Sequence, residues 1–119
     1  FQMTRLSVYA QGGFLLVEFQ GTPILNSFIA EETGRELQGL FMQDNQKDMV
    51  LDFTNVQLMT SAMINEFLKL QRLCDKHGKK LLFFNISTDI RDVLKACRLE
   101  KVFRVVSTKG DVAKELAKG

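Results

Sequence analysis

The chain has 119 residues, 16 basic against 14 acidic side chains for a formal charge of +2, one proline and two cysteines. That length suits one domain with its own hydrophobic core and would cramp two, and a composition 45% apolar and 25% charged excludes a disordered tail protein. The near-balanced charge shows no basic stripe for nucleic acid, no apolar run approaches the roughly 18 residues of a membrane span, and no signal peptide opens the chain.

Phe1-Gln2 reads as the visible end of a cleavable tag and Met3 as the natural start, so a single domain is expected over residues 3–119 with no membrane domain upstream. Leu6-Ser7-Val8-Tyr9-Ala10 alternates apolar and polar residues, and Phe14 to Phe19 resumes an extended apolar run after Gln11-Gly12-Gly13. Two such runs around a Gly-Gly predict a β-hairpin. Gly21-Thr22-Pro23 breaks the pattern. A first helix follows, with Phe28, Ile29, Leu37, Leu40 and Phe41 assigned to its core face, Glu31, Glu32 and Arg35 opposite, and Asn26 or Ser27 as N-cap.

Asp44 to Lys47 is a polar loop, and Met49 to Phe53 a short buried strand. Met63, Ile64, Phe67, Leu70, Leu73 and Cys74 repeat at helical spacing, and Lys76-His77-Gly78 marks that helix's end. Lys80 to Phe84 is the next strand; Ser87 caps a third helix carrying Ile90, Val93, Leu94 and Cys97. Val102 to Val106 is a last strand, and Asp111 to Ala117 a short terminal helix. The predicted order is β-β-α-β-α-β-α-β-α: one α/β domain whose sheet is mostly parallel, made mixed by the opening hairpin.

The blocks Val50-Leu51-Asp52-Phe53-Thr54-Asn55-Val56, Gly78 to Ser87, Ile90 to Lys95 and Arg98 to Phe103 form an ordered set. Together they resemble the STAS domain family, named for sulfate transporters and anti-sigma factor antagonists, over about Leu6 to Leu116. The resemblance implies a mixed sheet with helices mainly on one face. It also implies a stand-alone protein that binds a serine-kinase anti-sigma factor, is switched off by phosphorylation of a serine at the start of the second long helix, and is reset by a phosphatase. The family's common Asp-Ser-Ser-Gly-Leu-Gly step corresponds here to Met59-Thr60-Ser61-Ala62-Met63-Ile64. Ser61 takes the phosphoacceptor position, with Thr60 the second choice, and Met59 replaces the acidic residue. Asn26 stands where many members carry an aspartate.

Each candidate also has a plain structural role. A hydroxyl at Thr60 or Ser61 can cap the helix by accepting a backbone N–H, worth about 1 kcal/mol. Asp52 is expected to bind amides of the turn that follows it, near the strand ends where open α/β sheets bind ligands. Asn85 and Ser87 are expected beside the Thr60-Ser61 step, as turn and cap residues or as part of a contact surface. His77 reads as a helix-terminating residue, Cys74 and Cys97 as buried inert thiols, Phe83-Phe84 and the methionines as core filling. Gly12-Gly13 is no phosphate loop, since no helix follows it.

No catalytic constellation, metal cluster or cofactor motif is present, so an enzyme is not expected. The cysteines fit neither a metal spacing nor a disulfide scaffold, pointing to a reducing, cytoplasmic compartment. The expected function is a cytoplasmic protein-binding module, its surface formed by Thr54, Asn55, Gln57, Thr60, Ser61 and Asn65 with Ser87 and Thr88 flanking, and without nucleic acid or membrane insertion. The alternative is a non-catalytic STAS subunit of a lipid or anion transport assembly.

Overall fold

A computed structural model describes residues 5–21, 23–43 and 46–118. The expected tag remnant, the start at Met3, Thr22 of the break and Asp44-Asn45 of the polar loop lie outside them. Strands β1 (Leu6–Gln11) and β2 (Phe14–Phe19) form the antiparallel hairpin, in register from Leu6 opposite Phe19 to Gln11 opposite Phe14. β2 then runs parallel to β4 (Asp48–Asp52), β4 to β6 (Leu81–Phe84) and β6 to β7 (Arg104–Val106), giving a five-stranded mixed sheet in the order β1-β2-β4-β6-β7. Helices α1 (Ser27–Met42), α2 (Ser61–Lys76), α3 (Thr88–Ala96) and α4 (Lys109–Ala117) connect and close it.

Two elements are additional to the predicted order. Strands β3 (Ile24–Leu25) and β5 (Leu58–Met59) pair in parallel as a separate two-stranded sheet, Ile24 beside Leu58 and Leu25 beside Met59. A strand of two residues has no period to read, so only its partner defines it.

Side chains alternate across each strand. Val17, Phe19, Met49, Leu51, Leu81 and Phe83 point into the larger core, together with Ile29, Leu37, Phe67 and Leu94 of α1, α2 and α3. Its centre is aromatic: Phe53 stacks on Phe83 at 5.3 Å, Phe83 meets Phe103 at 4.6 Å, and Phe67 sets its edge against both Phe53 and Phe83. The opposite face holds Val50, Leu82 and Val106 under Val112 of α4 alone. Helices α1 and α2 lie close enough that a Cβ at Gly34 would collide with the Glu66 carboxylate as it stands, so a larger residue there would need that side chain to move.

Three expectations need correction. Phe28 was assigned to the core face of the first helix, yet it is 95% exposed. Nine residues at about 100° each put Phe28 half a turn from Leu37, which is buried. Cys97 is exposed: it shares the helical face of Ile90 but stands at the C-cap of α3, one residue past the helix end at Ala96. The last strand begins at Arg104 and not at Val102, since the chain is still turning at 101–102; Val102 is exposed and Phe103 inserts into the core.

Candidate functional site

The hydroxyl and amide residues singled out in the sequence gather at the carboxyl ends of the parallel strands. Asp52 ends β4 and accepts hydrogen bonds from the Thr54 backbone N–H at 2.9 Å and the Thr54 hydroxyl at 2.5 Å. The same hydroxyl accepts from the Asn85 side-chain amide at 3.1 Å. Asn85 follows β6 in the left-handed region (φ +60°), which asparagine tolerates better than most residues. Asp52 therefore acts as a brace for its own turn, as its structural reading anticipated, and the brace extends to the neighbouring strand's exit.

Ser87 does two jobs with one hydroxyl. It accepts from the Ile90 N–H at 3.1 Å, capping α3, and donates to the Gln57 carbonyl at 2.7 Å. The loop before α2 is thereby tied to the start of α3. On its other side the Gln57 and Leu58 N–H groups both donate to the Pro23 carbonyl. The Thr60 N–H donates to the Leu25 carbonyl at 3.0 Å, with the Thr60 hydroxyl at 3.4 Å from the same oxygen.

These bonds set α1 and α2 starting side by side. Asn26 caps α1, its side-chain oxygen accepting from the Phe28 and Ile29 N–H groups. Thr60 holds the matching position on α2, but its hydroxyl turns back to Leu25 and caps nothing. The expected cap bond at the Thr60-Ser61 step is thus not formed. Ser61 is the first residue of α2 and is exposed, as are Thr54, Asn55, Gln57, Asn65 and Thr88; Thr60 and Ser87 are half-buried.

Met59 is 3% exposed, its side chain in the core beneath the step. The residue in the acidic position is thus a packing residue, and the surface beside Ser61 carries no charge from it. Sequence reasoning missed Phe28. It projects from the first turn of α1; Ile24 and Leu58, paired through β3 and β5 just before the two helices, are 43% and 38% exposed. Two signals were available: the half-turn offset from Leu37, and two charge-free stretches, Phe19 to Ala30 and Phe53 to Asn65, in a chain that is 25% charged.

The remaining reactive side chains lie elsewhere. His77 is the C-cap of α2, its ring 5.7 Å from that of Phe41. Cys74 is buried; desolvation first, then the charges of Asp75 and Asp48, push its thiol up to about 12. Among the described residues no group of three His, Cys, Asp or Glu side chains could hold a metal ion, and no helix is long and apolar enough to cross a membrane.

The mixed five-stranded sheet and the paired starts of α1 and α2 define a class of small α/β domain that can be recognised from its backbone. An anti-sigma factor antagonist (STAS) domain protein from Planctomyces limnophilus has the same fold, with a TM-score of 0.83 at 15% identity over 95% of this chain and 98% of the other. An anti-sigma factor antagonist from Mycobacterium paratuberculosis scores 0.79 at 15% identity, over 95% and 93%. A sulfate transporter family protein from Wolinella succinogenes scores 0.64 at 18% identity, over 82% and 79%. The sequence model described as the STAS domain matches residues 5–112. The chain belongs to the STAS domain family.

Proposed function

We propose that this chain is a cytoplasmic, non-catalytic regulatory module of the anti-sigma factor antagonist type. It binds a serine-kinase anti-sigma factor through the surface around Ser61 and is released when that serine is phosphorylated. The observation that carries the reading is the setting of Ser61: an exposed hydroxyl on the first residue of α2, at a helix start that no side chain caps. Backbone N–H groups at a helix N-terminus favour an anion, so a phosphate there is compatible with the folded domain. Its charge of about −2 then opposes a partner seated on the same surface. The anti-sigma factor antagonists that share the fold support the partner class.

Ser61 belongs to the exposed surface, so Ser61→Ala and Ser61→Asp should both fold, with stability changes within about 0.5 kcal/mol. The test compares partner affinity for the two variants and looks for the mass of one phosphoryl group on wild type after incubation with kinase and ATP. Ser61→Ala should bind and stay unmodified; Ser61→Asp should bind at least tenfold more weakly. Equal binding by both, with no phosphate on wild type, would remove the switch. A phosphatase active on the modified protein completes the cycle.

A further inference from the structure

Among the described residues, Phe28 is the most exposed of the large apolar side chains. Its backbone is nevertheless fixed, because the Asn26 cap holds its N–H at 3.0 Å. Ile24 and Leu58, both exposed and paired through β3 and β5, lead into the two helix starts that carry Phe28 and Ser61. The two chain segments that build this patch contain no charged residue. An exposed aromatic ring on a fixed backbone, at two helix starts whose segments carry hydroxyl and amide groups and no charge, has the composition of an interface core.

We infer that Phe28 is the anchor of the partner interface: its ring fills an apolar recess on the serine-kinase anti-sigma factor, while the uncharged rim of Gln57, Ser61 and Asn65 hydrogen-bonds around it. This rests on the reading of the partner given above. The lack of positive charge favours a protein over a polyanionic occupant. A nucleic acid or an anionic membrane needs Lys or Arg on the contacting face, whereas the nearest charges on α1 are Glu31 and Glu32, already paired with Arg35 and Arg5. The position also accounts for the switch, since β3 and β5 lead into the starts of α1 and α2, so that a phosphate on Ser61 adds charge at the helix start adjoining the one that carries Phe28.

The test measures binding of wild type, Phe28→Ala, Phe28→Tyr and Tyr9→Ala to each purified serine-kinase anti-sigma factor encoded in the same genome. Tyr9 is exposed on β1 and serves as an aromatic control away from the patch. Phe28→Ala should weaken the dissociation constant about 30-fold, the scale of an interface hot spot. Phe28→Tyr should keep most of the affinity, Tyr9→Ala all of it, and every variant should melt with wild type. If wild type binds none of the kinases, the reading of the partner fails and the anchor falls with it. If wild type binds and Phe28→Ala binds equally well, the anchor alone is overturned. Two further outcomes overturn it in favour of other occupants. One is a wild-type dimer that Phe28→Ala converts to monomer. The other is pelleting with phosphatidylglycerol vesicles that the variant abolishes.

Discussion

The two faces of the sheet are built from the same strands and are stabilised very differently. On one face α1, α2 and α3 cover Val17, Leu51 and Phe83 completely, and five phenylalanine rings interlock at centroid distances of 4.6 to 6.2 Å. On the other, α4 alone shelters Val50, Leu82 and Val106, and a recess of about 310 Å³ remains between α4 and β2, lined by Phe14, Leu16, Phe84 and Leu116 among others. What α4 lacks in buried area it partly recovers through Lys80, whose ammonium donates to the Glu115 and Leu116 carbonyls and to that of Lys118 near the helix end. A strand's alternation gives it two faces, and a continuous apolar run makes both apolar; how deeply each is buried depends on how many helices the connections deliver to it.

The comparison can be broken first at Leu51, which is fully buried on the crowded face. Leu51→Asp places an unpaired charge there and should cost about 4 kcal/mol or more, enough to unfold a domain of ordinary stability. Circular dichroism and a denaturant titration read this directly, and a near-wild-type transition would mean that the core is misplaced.

A milder pair of truncations tests the asymmetry itself. Phe67→Ala removes a ring that touches Phe19, Phe53 and Phe83, and should cost about 3–5 kcal/mol. Val112→Ala on α4 removes two methyl groups at a thinly covered site and should cost only about 1 kcal/mol. Equal losses in urea unfolding would show the two faces to be energetically alike.

The smallest effect separates the two thiols. At pH 8 one iodoacetamide adduct should form on the native protein, at exposed Cys97, and two in denaturant. The folded Cys74 thiol is raised from 9.0 to about 12. A raised value means that this contribution to stability is fully present below pH 9 and is lost as pH climbs towards 12. The stability difference between wild type and Cys74→Ala should therefore narrow from pH 9 to pH 11. A constant difference would mean that the thiol ionises as freely in the fold as outside it.

Much of the architecture is local and was legible in the chain. The hairpin around Gly12-Gly13, the Ser87 cap and the positive φ of Gly78 after Lys76-His77 are written in two to four residues each, because turns and helix ends are decided by backbone sterics and the nearest side chain. The Thr54-Asn55 to Ser61 region could be placed at the strand ends for the same reason: strand and helix periods fix where a connection must lie.

What no local pattern could settle is which surfaces meet. The β3–β5 pair exists only because Leu25 and Met59, distant in sequence, are brought alongside. That pairing turns the Thr60 hydroxyl away from α2 and onto the Leu25 carbonyl, leaving the helix start at Ser61 uncapped by any side chain. Helical period separates Phe28 from Leu37 by half a turn, but that its side then meets solvent was decided by which neighbours the fold places against α1. Periodicity belongs to the chain, since it follows from backbone geometry; burial belongs to the assembled fold, since a side chain is buried only by atoms that other segments bring to it.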